Sequence, residues 1–270
     1  MMNKLFKVII AVLIVYIGIT CVVYAMQRTL VFSAVTERIL PDANTNPRME
    51  EITLKNKAGE RLFSWHGQAP ASRPTVLYLH GNGGSVGTRQ SVQRQFLEKD
   101  YGIFMAGYPG YGGSDGAPTE AGLLEAAELA YRHLIESGVA AKQIIIFGES
   151  LGSSVATQLA KKVSASALVL AAPMHSIREI AKAQYPFLAI GLLLKDPFLT
   201  FEHIGDVDEP VLVFHGSADQ AIPIDSGKRL FALANEPKQF HTIDNAGHNN
   251  LFDFGIIELL DQFLAENTKW

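Results

Sequence analysis

Short apolar runs alternate along this chain with longer segments in which apolar residues recur at helical spacing. Each short run ends in polar or glycine-rich sequence, which is typical of strands buried on both faces. Strands are predicted at residues 51–56, 61–66, 75–79, 101–106, 144–147, 167–171, 211–214 and 239–243. Helices are predicted at residues 86–99, 120–136, 153–163, 226–234 and 252–266. The alternation predicts an α/β fold, with a mostly parallel central sheet and helices on both faces.

The N-terminal segment is the longest apolar stretch. Lys4 and Lys7 precede an uncharged run at residues 8–27, and Arg28 follows it. A helix of about 20 residues spans about 30 Å, the thickness of a bilayer core. We therefore predict one transmembrane helix at residues 5–27. The alternatives are a buried helix of a soluble domain and a signal peptide cleaved near Ala25.

Membrane orientation follows from the basic residues on either side of this segment. Lys4 and Lys7 lie on one side, and Arg28 and Arg38 on the other, so their numbers balance. The two lysines are closer together, and a short leader before a long domain resembles a signal anchor. We therefore expect the N-terminus inside and the following domain outside the cytoplasm.

The chain beyond the predicted anchor divides into a connector and one domain. Residues 28–48 form the expected connector, and residues 49–270 the expected α/β domain. A chain of 270 residues, of which 48% are hydrophobic, can bury a large core. Its net charge of -4 gives no basic surface for a nucleic-acid partner. Residues 174–210 interrupt the alternation and are expected to form a small cap or lid. Their apolar run at 187–194 either faces a ligand or packs on the sheet.

A G-x-S-x-G motif at residues 148–152 joins a predicted strand directly to a predicted helix. In this context the motif indicates a nucleophile elbow, a turn so tight that its serine projects from the sheet edge. Ser150 is the candidate nucleophile. The backbone N–H of Leu151 begins the helix and is a candidate oxyanion donor. The alternative is an ordinary turn with a capping serine, Ser150 or Ser153.

A serine nucleophile needs a base, and His248 is the best candidate among the eight histidines. It follows the last predicted strand. Asp219 ends an earlier strand segment and can orient the imidazole. The chain order Ser150, Asp219, His248 is one of the known orders for such a triad.

The other acidic and histidine residues near strand ends are assigned lesser roles. His80 and His215 are expected to shape their loops, and His175 either lines the pocket or is a plain loop residue. The remaining aspartates considered, interpreted as loop or capping residues, are Asp206, Asp208 and Asp225.

A second oxyanion donor is expected from the loop after an earlier strand. The sequence HGNGG at 80–84 lies there, and the backbone N–H of Asn82 is preferred over that of Gly83. A flexible turn is the alternative. No cofactor or metal is expected, because nucleotide-binding and zinc-binding motifs are absent from the sequence. Glu149 has no evident partner for paired-carboxylate chemistry.

These motifs together resemble those of the α/β-hydrolase superfamily. The segments that carry the resemblance are HGNGG at 80–84, GYPGYGGSDGAPT at 107–119, GESLGS at 148–153, HGSADQAIP at 215–223 and AGHNN at 246–250. More closely, the chain resembles membrane-anchored α/β-hydrolase-domain serine hydrolases, in which a segment like QRTLVF at 27–32 follows the anchor.

The resemblance implies the α/β-hydrolase fold, a triad of Ser150, Asp219 and His248, and an oxyanion hole formed by Asn82 and Leu151. It implies hydrolysis of carboxylic esters or thioesters, lipid-like ones included, through an acyl-enzyme and without a cofactor. Members of the family include esterases, lipases and protein depalmitoylases. A peptidase, an acyltransferase and an inactive membrane-tethered binding protein remain open as alternatives.

Overall fold

The computed structural model describes residues 2–42, 47–70 and 73–269. Its strands are β1 (Ser33–Ala34), β2 (Met49–Lys55), β3 (Arg61–Gly67), β4 (Thr75–Leu79), β5 (Gly83–Gly84), β6 (Gly102–Met105), β7 (Ile144–Glu149), β8 (Ala167–Ala171), β9 (Val211–Gly216) and β10 (Lys238–Ile243). Its α-helices are α1 (Met2–Val31), α2 (Gln90–Glu98), α3 (Glu120–Glu136), α4 (Leu151–Ala160), α5 (Ile177–Gln184), α6 (Ile190–Leu193), α7 (Ile224–Ala232) and α8 (Ile256–Asn267). Short 3-10 turns lie at Val86–Thr88, Ala141–Gln143, Thr200–Glu202, Ile204–Asp206 and Leu251–Phe254.

Eight strands form one sheet in the order β10-β9-β8-β7-β4-β6-β3-β2. The six strands from β10 to β6 pair in parallel, and β3 and β2 add an antiparallel edge. One apolar layer packs α3, α4 and α7 on one face of the sheet, and a second packs α2 and α8 on the other. The predicted fold class is therefore confirmed. The carboxyl ends of the parallel strands share one edge, where ligands bind in such folds.

Two predicted helices begin later than their sequence pattern indicates. The segment at 86–99 splits into a 3-10 turn and α2, because Arg89 adopts non-helical φ and ψ angles of −113° and 34°. In this conformation its guanidinium reaches Glu149 on the elbow. The last helix begins at Ile256 and not at residue 252, because Gly255 has a positive φ of 70° and separates it from a 3-10 turn.

The N-terminal helix α1 is longer than the predicted segment at 5–27 and continues to Val31. It is an exposed apolar helix, with a mean hydropathy of 2.8 over its most apolar window. By length and composition it fits either a membrane anchor or a signal sequence. The expected connector at 28–48 thus begins as helix and then adds β1, which pairs with β5. Residues 43–46 of that connector lie outside the described residues.

Residues 174–210 form an insert that packs against α1. The insert carries α5, α6 and two 3-10 turns. Its apolar run at 187–194 does not share one environment, because Leu188 and Ile190 are buried whereas Phe187 is 61% exposed. The insert also reaches α3, since the Asp196 carboxylate accepts a hydrogen bond of 2.9 Å from the N–H of Glu120.

Candidate active site

Ser150 lies at the turn between β7 and α4 in a strained backbone conformation. Its φ and ψ are 52° and −117°, which is uncommon for a residue with a side chain. The flanking glycines make the turn possible. A Cβ on Gly152 would lie 2.0 Å from the carbonyl oxygen of Leu79, and one on Gly148 would lie 2.5 Å from that of Gly152. The G-x-S-x-G sequence therefore forms the expected tight elbow.

The structure brings Ser150, His248 and Asp219 into one hydrogen-bonded row. The Oγ of Ser150 lies 2.9 Å from Nε2 of His248, and Nδ1 of His248 lies 2.8 Å from Oδ2 of Asp219. A carboxylate only accepts hydrogen bonds, so Nδ1 of His248 carries the proton. Nε2 of His248 is then free to accept the hydroxyl proton of Ser150.

The Asp219 carboxylate is held in its charged form. Its Oδ1 accepts hydrogen bonds of 2.9 Å and 2.8 Å from the N–H groups of Ala221 and Ile222. Burial opposes ionisation, but hydrogen bonds from His215, His248 and the Ile222 N–H outweigh it and hold the pKa of Asp219 well below its usual range. The carboxylate is thus negative at neutral pH and can stabilise a positive charge on His248.

His215 supports the loop that carries Asp219. Its Nε2 lies 2.9 Å from the carbonyl oxygen of Ile222 and 3.4 Å from Oδ2 of Asp219, and its side chain is fully buried. Among the described residues, its contact with the candidate triad is through Asp219. The loop-shaping role expected from the sequence stays a prediction.

The other histidines and aspartates lie outside this row. His80 is fully buried against Tyr108, with ring centroids 4.2 Å apart, and donates from Nδ1 to the carbonyl oxygen of Gly81. His175 stacks on Phe201. Of the rival aspartates, Asp206 pairs with Lys161 at 3.1 Å, Asp225 lies in the first turn of α7, and Asp208 is exposed.

Asn82 and Leu151 both line the cavity beside Ser150. Across the described residues, no hydrogen-bond acceptor is found for the backbone N–H of either residue. The side chain of Asn82 is engaged elsewhere, since its Nδ2 donates to the carbonyl oxygen of Val31 at 3.1 Å. The hydroxyl of Tyr111 donates to the carbonyl oxygen of Asn82 at 2.9 Å and fixes the same loop.

Sequence reasoning missed a partly buried ion pair beside the elbow. The guanidinium of Arg89 donates to both oxygens of Glu149, at 3.0 Å and 3.3 Å, and to the carbonyl oxygen of Gly83 at 2.9 Å. The hydroxyl of Tyr78 also donates to Glu149. Burial opposes the charge on Glu149, but Arg89 and Tyr78 outweigh it and hold the pKa of Glu149 below its usual value. The pair thereby ties the loop at 80–84 to the elbow.

A cavity of about 650 Å³ opens beside Ser150 and His248. This size falls within the range of small-molecule sites, about 300–1,000 Å³. Three parts of the chain line it: the strand-end loops that carry the hydrogen-bonded row, the insert, and the last turns of α1. Among the described residues, no group of three or more histidine, cysteine, aspartate or glutamate side chains is arranged to hold a metal ion.

Comparisons with known proteins place the chain among hydrolases. A family model described as serine aminopeptidase, S33, matches residues 70–196. An uncharacterized protein of Mycobacterium tuberculosis is 32% identical over 97% of this chain and 95% of its own length. The alpha/beta hydrolase domain-containing protein 17B of Homo sapiens is 31% identical over 73% of this chain and 68% of its own length. The solved structure of an esterase from Pyrococcus furiosus, 15% identical, superposes with a TM-score of 0.72 over 88% of this chain and all of that one.

Proposed function

Because the chain belongs to the α/β-hydrolase superfamily, in the family described as serine aminopeptidase, S33, we propose that it is a serine hydrolase cleaving carboxylic esters or thioesters. The observation that carries the proposal is the row Ser150–His248–Asp219 beside a cavity with a mainly apolar lining. The likeness in fold to the Pyrococcus furiosus esterase is consistent with ester chemistry.

In the proposed reaction, the Oγ of Ser150 attacks the carbonyl carbon of the ester while its proton moves to Nε2 of His248. Asp219 stabilises the resulting imidazolium and keeps its ring oriented. His248 then gives the proton to the leaving alcohol or thiol, and the acyl group stays on Ser150. Water, deprotonated by His248, attacks the acyl-enzyme, and release of the acid restores the Ser150 hydroxyl.

The negative oxygen formed in each step needs hydrogen-bond donors. We assign this role to the backbone N–H groups of Asn82 and Leu151. Both residues line the cavity beside Ser150, and neither N–H has an acceptor within the described part of the chain. Leu151 begins α4, so its N–H also has the favourable end of the helix dipole behind it.

We further propose that α1 anchors the protein in a membrane as a single span, with the hydrolase domain outside the cytoplasm. The length of the helix and its exposed apolar surface support the anchor. The orientation rests on the closely spaced Lys4 and Lys7 at its N-terminal end.

A fluorophosphonate probe, which reacts with activated serines, tests the proposal. Membranes containing the wild-type protein are compared with the Ser150→Ala and Ser154→Ala variants. Ser154 lies on the same helix, outside the hydrogen-bonded row. We expect labelling and hydrolysis of p-nitrophenyl butanoate in the wild type and in Ser154→Ala, and neither in Ser150→Ala. Undiminished labelling of Ser150→Ala, or none of the folded wild type, would refute the proposal.

A further inference from the structure

One stripe of α1 faces the hydrolase domain and lines its cavity. Val23, Gln27, Leu30 and Val31 border the same cavity as Ser150. Residues at this spacing share one face of a helix. Val22, the neighbour of Val23, is 57% exposed and does not line the cavity. The helix therefore forms part of the cavity wall in addition to preceding the domain.

The insert supplies the facing wall, and its contribution is mainly apolar. Ile177, Ile180 and Ala181 of α5 line the cavity, as do Ile190 and Leu194. Gln27 is the polar residue on the α1 stripe, and its amide is already bonded to the insert. Its Nε2 donates to the carbonyl oxygen of Leu193 at 3.1 Å, and its Oε1 accepts from the N–H of Lys195 at 2.7 Å. The space between α1 and the insert thus suits an apolar ligand.

Further polar contacts fix α1 to the insert. Arg28 pairs with Asp196 at 2.9 Å, and Asp196 is 4% exposed. The same carboxylate accepts from the N–H of Glu120 at the start of α3. The ammonium of Lys195 lies 4.2 Å from the ring centroid of Tyr24. These contacts make the junction of helix and insert a defined part of the fold.

The insert extends along α1 toward the middle of its apolar stretch. The hydroxyl of Tyr16 donates to the carbonyl oxygen of Phe187 at 3.1 Å. Tyr16 precedes Gln27 by eleven residues, which corresponds to about 16 Å along the helix. Where α1 spans a bilayer, the exposed side chain of Phe187 therefore lies at the depth of the hydrocarbon.

We propose that α1 and the insert together form an acyl-chain site. The acyl chain of the substrate enters this site from the bilayer, which brings the ester carbonyl to Ser150. This inference rests on the proposed hydrolase function and specifies its substrate class, a long-chain acyl ester or thioester resident in the membrane. One cavity connects the acyl-chain site to the hydrogen-bonded row, because Val23 and Ile180 border the same space as Ser150 and His248.

The adjacent residues Val23 and Val22 provide a matched test of the wall. Val23→Trp fills the cavity from α1, whereas Val22→Trp adds the same bulk on the lipid-facing side. For each variant in phosphatidylcholine vesicles, kcat/KM is measured for p-nitrophenyl dodecanoate and p-nitrophenyl butanoate. Lost contact with two methylene groups, at about 0.8 kcal/mol each, corresponds to roughly a fifteenfold loss. We expect the dodecanoate-to-butanoate ratio to fall by about that factor in Val23→Trp and to stay at the wild-type value in Val22→Trp.

A second pair tests the facing wall, should Val23→Trp fail to fold. Ala181→Trp fills the cavity from α5, and Ala183→Trp places the same side chain on the exposed face of that helix. The dodecanoate-to-butanoate ratio of kcat/KM should fall in Ala181→Trp and stay at the wild-type value in Ala183→Trp. Equal ratios within both pairs would overturn the inference.

The position of the insert can be measured without any catalysis. Phe187→Trp and Leu233→Trp each place a fluorophore at an exposed apolar position, the second at the C-terminal end of α7. Lipids with brominated acyl chains should quench the fluorescence of Phe187→Trp at least twofold more than that of Leu233→Trp. Equal quenching would overturn the entry from the bilayer even in a catalytically active protein.

Two sources of the acyl chain are distinguished with vesicles that carry either a palmitoyl glycerol ester or an S-palmitoylated peptide. Cleavage of either one supports the site and identifies the source. Cleavage of neither, in a protein that hydrolyses butanoate and reacts with the fluorophosphonate, overturns the inference and leaves the proposed function standing. Absence of fluorophosphonate labelling would instead refute the proposed function itself.

Discussion

The side-chain amide of Asn82 donates a hydrogen bond of 3.1 Å to the carbonyl oxygen of Val31. Val31 is the last residue of α1, and the last carbonyls of a helix have no partner within the helix. The contact therefore links the loop proposed to bind the oxyanion to the end of the N-terminal helix. It leaves the backbone N–H of Asn82, and not its side chain, as the proposed oxyanion donor.

The variant Asn82→Ala separates these two roles. We expect kcat/KM for p-nitrophenyl butanoate to fall by no more than about tenfold, since the backbone donor remains. Removal of a side chain that itself binds the oxyanion costs about 10²–10³ in kcat. Loss of the bond to Val31 should lower the free energy of unfolding by about 1 kcal/mol. A loss of activity of a hundredfold or more, in a protein of nearly unchanged stability, would contradict this assignment.

The partly buried ion pair Arg89–Glu149 should lose stability when its cation alone is removed. Arg89→Met leaves the partly buried Glu149 carboxylate with the Tyr78 hydroxyl but without a cation, and we expect a loss of about 3 kcal/mol in the free energy of unfolding. The double variant Arg89→Met/Glu149→Gln also removes the negative charge of Glu149. Its loss of unfolding free energy should therefore be smaller than that of Arg89→Met. Urea unfolding of the detergent-solubilised protein measures both. A double variant less stable than Arg89→Met would contradict the charge argument.

His80 should make stability depend on pH. Burial lowers the pKa of His80 from 6.5 to about 3. Between these values the unfolded chain binds a proton that the folded protein does not, so stability falls as pH decreases. The contribution is complete above about pH 6.5 and is lost at about 1.4 kcal/mol per pH unit below it.

The variant His80→Asn isolates this contribution, because an amide retains a donor for the carbonyl oxygen of Gly81 and does not titrate in this range. Unfolding free energies are compared at pH 7 and pH 5. We expect the wild type to lose about 2 kcal/mol more than the variant between the two values. The other histidines contribute equally to both proteins. Identical pH dependence would show that His80 accepts a proton in the folded state.

The strained backbone of Ser150 predicts that a glycine at this position relieves strain, although it removes the proposed catalytic hydroxyl. Glycine adopts a φ of 52° and a ψ of −117° with less strain than a residue carrying a Cβ. Ser150→Gly and Ser150→Ala both lose the hydroxyl and the bond to His248. We expect both to be inactive, with Ser150→Gly more stable than Ser150→Ala by about 1 kcal/mol. A less stable glycine variant would mean that the elbow stores no strain.

The geometry of the hydrogen-bonded row could be anticipated from sequence because each member follows a strand of the parallel sheet. Ser150 follows β7, Asp219 follows β9, and His248 follows β10. In a parallel sheet these strand ends share an edge, so residues 98 and 29 positions apart meet without further information.

The junction of α1 with the insert could not be anticipated in this way. Gln27 and Leu193 are 166 positions apart, and neither follows a strand. A uniformly apolar helix gives no pattern that distinguishes a lipid-facing stripe from a protein-facing one. One polar signal was Gln27, which is 7% exposed and is bonded to the insert.

The pair Arg89–Glu149 was missed for a related reason. The segment at 86–99 has the periodicity of one helix, and nothing local indicates that Arg89 leaves it. The interaction with Glu149, 60 positions later, accompanies the break. Tertiary contacts here override local propensity, and they also supply Glu149 with the partner that the sequence did not reveal.

The long separation between Gln27 and its partners also affects how the protein is made. At about 5–20 residues per second, ribosomes need about 8–33 s to proceed from Gln27 to Leu193. During that interval the stripe of α1 that later closes the cavity is exposed to its surroundings. A chain interrupted before the insert is complete would contain α1 and Ser150, but it would lack the cavity that lies between them.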